Sequence, residues 1–327
     1  MTTTSERDRR VDRLLSEGVT PDWVGRWLVV GDLPEVERAL AEVGAEAVGW
    51  TRFVRPGRVP TAAPAGEGYQ GAVVRLPRGS AAIRCALHLV AARLVPEGAL
   101  WVGGANDEGI RSVEKGALAE VISEPSPAVS GGHARRIGGS RPRPGLRGAL
   151  EQWEERVVVE VDGAERALVS YPGLFAHGRL DPGTALLLAK LPPVAGARVL
   201  DFATGAGVVA AVVAERGASA VDACDHDALA VSAARRNAPA AQVHLADGVP
   251  AGRWDRIVSN PPIHRGAELD WSVLEGLAAA LPRALTPGGS LVAVTQVTVP
   301  MRRLFAGCRI TLLGSDGGFA VHQVSPG

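Results

Sequence analysis

Several features that would define a function class are scarce or missing in this sequence. Cysteine occurs only as Cys85, Cys224 and Cys308, with no CxxC or Cys/His spacing, so we expect reduced structural thiols and no metal site. No apolar run approaches the about 18–20 residues of a membrane helix, and the charged start MTTTSERDRRVDRLL lacks the apolar stretch of a secretory signal. These absences predict a cytoplasmic protein that binds neither a membrane nor a metal.

An excess of charge of either sign is also missing, because 35 basic residues balance 35 acidic ones. This balance argues against a protein coated in basic charge and leaves room for a local basic patch. The stretch 126–150 is rich in Gly, Pro, Ser and Arg, which predicts a linker between two domains over residues 131–150. A solvated linker and a phosphate-contacting segment explain its arginines equally well: Arg135, Arg136, Arg141, Arg143 and Arg147.

What is present is a chain of 327 residues with 46% hydrophobic content, enough for two cores of about 150 residues each. In the second half, apolar strands such as ARVLDFA (197–203) and AVDACD (220–225) alternate with helical segments such as GVVAAVVAERG. Alternating strands and helices predict an α/β fold with a mostly parallel, doubly wound sheet. The last two segments, RITLLGS and FAVHQVS, predict a final antiparallel pair.

The first half repeats part of this pattern, which indicates a tandem duplication. YQGAVVRLPRG (69–79) is similar to WDRIVSNPPIHRG (254–266), and 86–106 is similar to 274–296. The first copy has RLP (75–77) where the second has NPP (260–262), and its first strand is followed only by Gly31. We therefore expect a degenerate domain over 1–130, without chemistry of its own, and a functional domain over 151–327.

The segment VLDFATGAGVVA (199–210) places Asp201 near the end of a strand and glycines at 205 and 207. Glycine permits a tight turn and the close approach of a ligand to the backbone. The third glycine of the dinucleotide-binding pattern is missing. An ordinary tight turn between a strand and a helix is the alternative.

Carboxylates follow the next two predicted strands. Asp225 ends the second strand, where it can accept hydrogen bonds from the two hydroxyls of a ribose; Asp222 is mid-strand and Asp227 is typical of a helix start. A plain helix cap is the alternative for Asp225. Asp247 after the third strand can accept from an adenine amine, or it can serve a turn with Gly248.

The fourth strand ends in SNPPIHRG (259–266), a stiff extended loop, because proline lacks a backbone N–H and disfavours helix before it. The carbonyl oxygens of Asn260 and Pro261 can together hold a planar amine. Fixing such an amine favours its attack on an electrophilic methyl group. The NPP sequence alone is typical of a loop, and it becomes specific in combination with the glycine turn and the acid after the second strand.

This set of motifs resembles the class I S-adenosylmethionine-dependent methyltransferases. More narrowly, it resembles the bacterial ribosomal RNA guanine-N2 methyltransferases of the small-subunit RsmC type and their RlmG relatives. The features that carry the resemblance are SNPPIHRG, YPGLFAHGRLDPGTALLLAKLP (171–192) and GANDEGIRS (104–112). The resemblance implies two tandem Rossmann-like methyltransferase domains with a degenerate N-terminal one, and ribosomal RNA or the small ribosomal subunit as partner.

The resemblance also implies roles for residues of this chain. Asn260, Pro261 and Pro262 would hold the guanine amine, and Ile263 and His264 would contact the base. For Phe175 a place in the core is the alternative, and for His264 a structural role. Residues expected to bind S-adenosylmethionine are Asp201, Ala203, Gly205, Gly207, Asp225, Asp247, Gly248, Phe175 and Asp181.

Two departures from the family pattern concern base recognition. Ile263 stands where the family has phenylalanine, whose ring can stack on a base for about 1–3 kcal/mol. The segment TQVTVPMRRL (295–304) differs from the usual V-A-N-x-x-L-x-Y. Three hypotheses therefore stay open: methylation of guanine N2 in ribosomal RNA, methylation of another planar amine (adenine N6 or a protein glutamine), and a non-catalytic assembly factor that binds cofactor and RNA.

Overall fold

The structure, a computed structural model, describes residues 5–265 and 268–327; for residues 264–269 no side chain is described. The chain divides into two compact units, residues 1–154 and 155–327. Within the described ranges, no helix is long and apolar enough to cross a membrane.

The second unit alternates strands and helices over most of its length, as its sequence predicts. Its elements in chain order are β7 Glu155–Val161, β8 Ala164–Ser170, α6 Pro182–Lys190, β9 Arg198–Phe202, α7 Val208–Glu215, β10 Ala220–Asp225, α8 Ala228–Asn237, β11 Ala241–Leu245, β12 Trp254–Ser259, β13 His264–Arg265, β14 Glu268–Leu269, α9 Ser272–Ala284, β15 Leu285–Gln296, α10 Met301–Leu304, β16 Cys308–Asp316 and β17 Phe319–Pro326.

Seven of these strands form one sheet in the order β11-β10-β9-β12-β15-β17-β16. The first five are parallel, and β17 pairs antiparallel with both β15 and β16. This arrangement confirms the expected doubly wound α/β sheet with a terminal antiparallel pair. Pro282 lies inside α9 without ending it.

The strands of this sheet are apolar because both faces are covered. On one face, Val199, Val258 and Val292 pack with buried residues of α6, α7 and α8. On the other face, Leu200 and Ile257 pack with residues of α9 and α10. The sheet is therefore a rigid layer, and the loops at the carboxyl ends of its strands have a fixed support.

The first unit has a similar succession of elements. They are α1 Glu6–Ser16, β1 Arg26–Val30, α2 Pro34–Glu42, β2 Glu46–Trp50, β3 Tyr69–Arg75, α3 Ser80–Ala91, β4 Leu94–Ala105, α4 Ile110–Lys115, α5 Ala117–Val121, β5 Ile122–Gly131 and β6 Ala134–Pro142.

Its sheet has the order β2-β1-β3-β4-β6-β5, with the first four strands parallel and β6 antiparallel to its two neighbours. This is the order of the second unit without the strand that corresponds to β11. Helix α1 precedes the first strand of its sheet as α6 does in the second unit, and it contacts β4 and β6 as α6 contacts β15 and β17. The two units thus have one topology, as expected for a tandem duplication.

The predicted linker over residues 131–150 is wrong. Residues 122–142 form the hairpin β5–β6, and β6 pairs with β4 over seven residues, from Ala99↔Ser140 to Ala105↔Ala134. Proline is tolerated in β5 because β5 is an edge strand whose outer side needs no ladder hydrogen bonds. The boundary between the units lies at residues 154 and 155.

The arginines of this stretch contact other residues of the first unit. Arg136 lies over the ring of Trp101, 5.1 Å from its centroid. The other four have these partners: Arg135 with Glu114, Arg141 with Glu97 and Glu124, Arg143 with the carbonyl oxygen of Ala119, and Arg147 with the ring of Trp153. The stretch is therefore neither a solvated linker nor a row of free cations.

Candidate functional site

The carboxyl ends of β9, β10 and β12 bring the predicted site residues to one edge of the sheet. β9 lies between the other two, with Asp201 paired in register with Ala223 on one side and Val258 on the other. The hydroxyl of Ser259 donates to the carbonyl oxygen of Phe202 at 2.7 Å. The glycine turn, the acid after the second strand and the NPP loop are therefore neighbours in space.

The glycine turn after β9 has an unusual backbone. Ala203, Gly205 and Gly207 have φ angles of 60°, 55° and 85°, a region that glycine adopts without the strain of a side chain. A Cβ on Gly207 would lie 2.8 Å from the Cα of Ala234 in α8, whereas a Cβ on Gly205 would have no atom of the described chain within 4 Å. Gly207 thus serves packing between helices, and Gly205 leaves open space.

Asp201 holds this turn through two hydrogen bonds. Its side chain is buried, and its Oδ2 accepts from Thr204 Oγ1 at 2.5 Å and from the amide of Ala210 at 2.9 Å. Burial raises the pKa of Asp201 to about 7, with a smaller contribution from the charge of Asp225 and against the lowering effect of its two hydrogen bonds. Asp201 therefore holds the conformation of this turn.

Asp225 connects the glycine turn with the end of β10. Its Oδ2 accepts from the amide of Gly205 at 2.9 Å, and its Oδ1 accepts from the amide of Asp227 at 3.0 Å. The hydrogen bond with Asp225 raises the pKa of His226. The two competing acids have other partners: Asp222 accepts from the indole of Trp254, and Asp227 caps α8.

The remaining predicted cofactor residues lie around this edge. Asp247 and Gly248 are exposed after β11, and Gly248 has a φ of 107°. Phe175 is 64% exposed, so the alternative of a core aromatic is wrong.

Asn260 follows β12, and its carboxamide is held from α6. Its Nδ2 donates to Asp181 Oδ2 and to Thr184 Oγ1, both at 2.9 Å. Asp181 is the N-cap of α6, and its Oδ2 also accepts from the amide of Thr184 at 2.9 Å. Pro261 is buried and Pro262 is exposed. Asp181 therefore contacts the amide at the tip of the loop, a contact that the sequence did not indicate.

Ile263 is not at the surface. Its side chain is 8% exposed and packs in the cluster between the sheet and helices α9 and α10. Its expected contact with a base stays a prediction, which would have to use the 8% of the side chain that is exposed. His264 belongs to β13, and its side chain lies outside the described part of the structure.

Two residues near the loop escaped the sequence analysis. Thr184 was visible only as the third helical residue after an N-cap aspartate, a pattern typical of ordinary capping. Trp271 follows Asp270, whose amide donates to the carbonyl oxygen of Ile263 at 3.0 Å. The guanidinium of Arg303 lies 5.0 Å from the ring centroid of Trp271. Trp271 is thus an aromatic residue close to the NPP loop.

Comparison with known proteins agrees with this geometry. The family "Methyltransferase small domain" matches residues 165–323. The ribosomal RNA small subunit methyltransferase C of Pseudomonas aeruginosa (strain UCBPP-PA14) is 35% identical over 304 residues, which cover 88% of this chain and 89% of that protein. Its counterpart from Chromohalobacter salexigens is 40% identical over 174 residues, 50% of this chain and 52% of that protein.

A solved structure of the T. thermophilus 16S rRNA N2 methyltransferase RsmC, in complex with AdoMet and guanosine, is similar over the whole chain. It covers 100% of this chain and 94% of its own, with a TM-score of 0.78 and 25% sequence identity. Sequence and structure agree over both units, and the chain belongs to the ribosomal RNA small subunit methyltransferase C family of class I methyltransferases.

Proposed function

We propose that this protein transfers a methyl group from S-adenosylmethionine to the exocyclic N2 amine of a guanine in ribosomal RNA, with 16S RNA of the small subunit as the substrate. The names of its relatives support the RNA, and the guanosine in the similar structure supports the base. The protein would work in the cytoplasm, where ribosomal RNA is found.

One observation carries this proposal. Both hydrogens of the Asn260 amide nitrogen are donated to α6, to Asp181 and to Thr184, so its Oδ1 is the group left for a ligand. Within the described residues, no donor is bound to that oxygen. A fixed acceptor beside the glycine turn suits an amine that must keep its two hydrogens in place during attack.

The edge of the sheet also fits the cofactor. The open space at Gly205 lets a ligand approach the backbone, and Asp225 lies directly beside it. Asp201, Ala203 and Gly207 would shape the floor of this pocket, with Asp225 at the ribose, Asp247 and Gly248 at the adenine, and Phe175 over the cofactor. S-adenosylmethionine supplies an electrophilic methyl group when bound.

The residues of the NPP loop would act on the acceptor. Asn260 Oδ1 and the carbonyl oxygen of Pro261 accept the two hydrogens of the amine and direct its nitrogen toward the methyl group. Pro262 and Pro261 keep these acceptors in place, because the proline ring fixes φ. The amine loses a proton to water after attack, so this step needs no strong base from the protein. A base must leave its stack to reach such a loop.

The first unit would position RNA without chemistry of its own. Support comes from two charged side chains that have their partners inside the unit. Arg75, at the position of Asn260, donates to Asp8 and Glu108. Asp12 accepts from the amides at the start of α2. Both groups are therefore bound within the unit, which favours a supporting role over chemistry.

The test is methyl transfer from labelled S-adenosylmethionine to undermodified small subunits, large subunits and the free RNAs, followed by nucleoside analysis. We expect labelled N2-methylguanosine from small-subunit material, and at least about 100-fold less label with Asn260→Ala. Circular dichroism and cofactor binding should match the wild type. Label in N6-methyladenosine or in protein would contradict the guanine assignment, and cofactor binding without any transfer would favour the assembly factor.

A further inference from the structure

The contacts between the start of α6 and the NPP loop indicate a role for Asp181 and Thr184. We infer that Asp181 and Thr184 are positioning residues that fix the orientation of the Asn260 carboxamide, so that its oxygen and not its nitrogen faces the acceptor amine. This inference rests on the proposed function, because it explains how the same loop would present an acceptor.

A carboxamide has nearly the same shape in its two flipped orientations, so its neighbours must choose between them. At Asn260 the carboxylate of Asp181 makes the choice, and the hydroxyl of Thr184 adds an acceptor for the second hydrogen. Asp181 Oδ2 lies 2.9 Å from Nδ2, and an ionised carboxylate only accepts hydrogen bonds. In the flipped orientation the amide oxygen would meet the carboxylate oxygen, which is repulsive. Thr184 Oγ1, also at 2.9 Å, takes the second hydrogen.

The two positioning residues are themselves held by the helix. Asp181 Oδ2 accepts from the backbone amide of Thr184 at 2.9 Å and from its hydroxyl at 3.4 Å. Thr184 is 8% exposed, and the following turns of α6 bury Leu187 and Leu188 completely in the core. The cap that starts α6 thus has a second use, because the same carboxylate oxygen that satisfies the helix start also orients the amide.

This arrangement determines what the loop accepts. With Nδ2 occupied, the loop offers only an oxygen to a ligand, so an amine with two hydrogens binds and a carbonyl group is repelled. Losing the Thr184 hydroxyl would free one amide hydrogen and leave the carboxamide held by Asp181 alone. The loss should appear mainly in kcat, because the held amine matters most when its nitrogen attacks.

The first experiment compares Thr184→Val, which keeps the shape of the side chain and removes the hydroxyl, with Thr184→Ser, which keeps the hydroxyl. We expect Thr184→Val to lower kcat about tenfold or more, and Thr184→Ser to stay within about threefold of the wild type. The Kd for S-adenosylmethionine should change less than about twofold in both variants. An unchanged kcat in Thr184→Val, or an equal loss in both variants, overturns the inference.

A second measurement does not depend on catalysis. The side-chain amide protons of Asn260 can be assigned in ¹⁵N spectra by their absence from Asn260→Ala, and their exchange with water can be measured. We expect slow exchange in the wild type and in Thr184→Ser, and faster exchange in Thr184→Val. Equal exchange rates in all three proteins would overturn the inference even if the wild type methylates RNA.

The two failures can be told apart. If the wild type labels RNA and Thr184→Val labels it equally fast, only the positioning role is wrong. If the wild type labels no RNA while the exchange of the Asn260 amide still depends on Thr184, the orientation of the amide is supported and the proposed substrate is wrong.

Discussion

The two units differ where the first helix of each, α1 or α6, contacts the end of a central strand, because the acid and the hydroxyl have exchanged places. In the second unit an acid caps the helix and a hydroxyl stands three residues later, Asp181 and Thr184, and they hold the neutral Asn260. In the first unit a hydroxyl caps α1 and an acid stands three residues later, Ser5 and Asp8. Asp8 binds Arg75, which takes the place of Asn260 at the strand end.

This exchange gives the two units different strand ends. Arg75 is bound to two acids of its own unit, whereas the turn near Asn260 has open space at Gly205. The guanidinium of Arg75 reaches Asp8 at 2.9 Å and Glu108 at 2.7 Å, and burial does not prevent these pairs from raising its pKa. A Cβ on Gly31, in the first turn of this unit, would lie 2.8 Å from the Cβ of Arg75. In the second unit the residue directly after β9 is Ala203, and open space lies two residues further on, at Gly205. The charge of Arg75 is therefore paired inside the first unit, on Asp8 and Glu108.

The largest expected contrast comes from making one substitution at both strand ends. Asn260→Met should lower kcat at least about 100-fold and leave the free energy of unfolding nearly unchanged. Arg75→Met should leave kcat within about twofold and lower the free energy of unfolding by about 1–3 kcal/mol, because Asp8 and Glu108 lose their shared cation. Methyl transfer and urea unfolding measure both. A large loss of kcat in folded Arg75→Met would show that the first unit takes part in catalysis.

Glycine substitutions test the open turn. Gly205→Ala should raise the Kd for S-adenosylmethionine at least about tenfold and cost about 1 kcal/mol of stability for its left-handed backbone. Gly31→Ala should lower stability through its contact with Arg75 and leave the Kd unchanged. Calorimetric titration and thermal unfolding separate the two outcomes. Equal Kd values for Gly205→Ala and the wild type would mean that the ligand does not approach this turn.

Asp201 predicts a pH dependence of stability. Its folded pKa of about 7 lies above the ordinary value of 3.8, so the folded state binds a proton that the unfolded chain releases. The stability from this group is fully present below pH 3.8 and is lost as the pH rises to about 7, at about 1.4 kcal/mol for each unit. Asp201→Asn should remove this slope in urea unfolding between pH 5 and pH 8. An unchanged slope would mean that Asp201 is ionised at pH 5.

The smallest expected effect concerns RNA binding at different salt concentrations. Arg302 and Arg303 are exposed and have no carboxylate partner within the described ranges, whereas Arg141 pairs with Glu97 and Glu124. Replacing Arg302 and Arg303 together by Gln should reduce the salt slope of RNA affinity by about 1–2. Arg141→Gln should leave it unchanged. The reverse result would place the phosphate contacts on the hairpin of the first unit.

The sheet and the meeting of the motifs could be predicted from the sequence because both follow from local rules. Buried parallel strands have short apolar runs, and their carboxyl ends share one edge, so Asp225, the glycine turn and NPP had to be neighbours. The hairpin β5–β6 was missed because its composition imitates a loop. Gly138 and Gly139 are needed there since a Cβ at either would come within 2.3 Å of a carbonyl oxygen of a neighbouring strand.

Long-range side-chain contacts could not be predicted. Asn260 meets Asp181 and Thr184 across 79 and 76 residues of sequence, and each of the two has a sufficient local explanation in helix capping. The burial of Ile263 depends on how α9 and α10 cover the sheet, which its position after NPP does not reveal. Local patterns thus fixed the place of the site, and only packing determined the orientation of its groups.

The sheet of the first unit ends on β2 where that of the second unit continues to β11, so β2 is an edge strand. A strand edge with free N–H and C=O groups can pair with strands of other molecules and start aggregation. Here the chain after β2 folds back: the indole of Trp50 donates to the carbonyl oxygen of Thr61 at 3.1 Å, and Arg58 lies against Gly49, where a Cβ would collide with it. The chain after β2 thus packs back against the strand that ends this sheet.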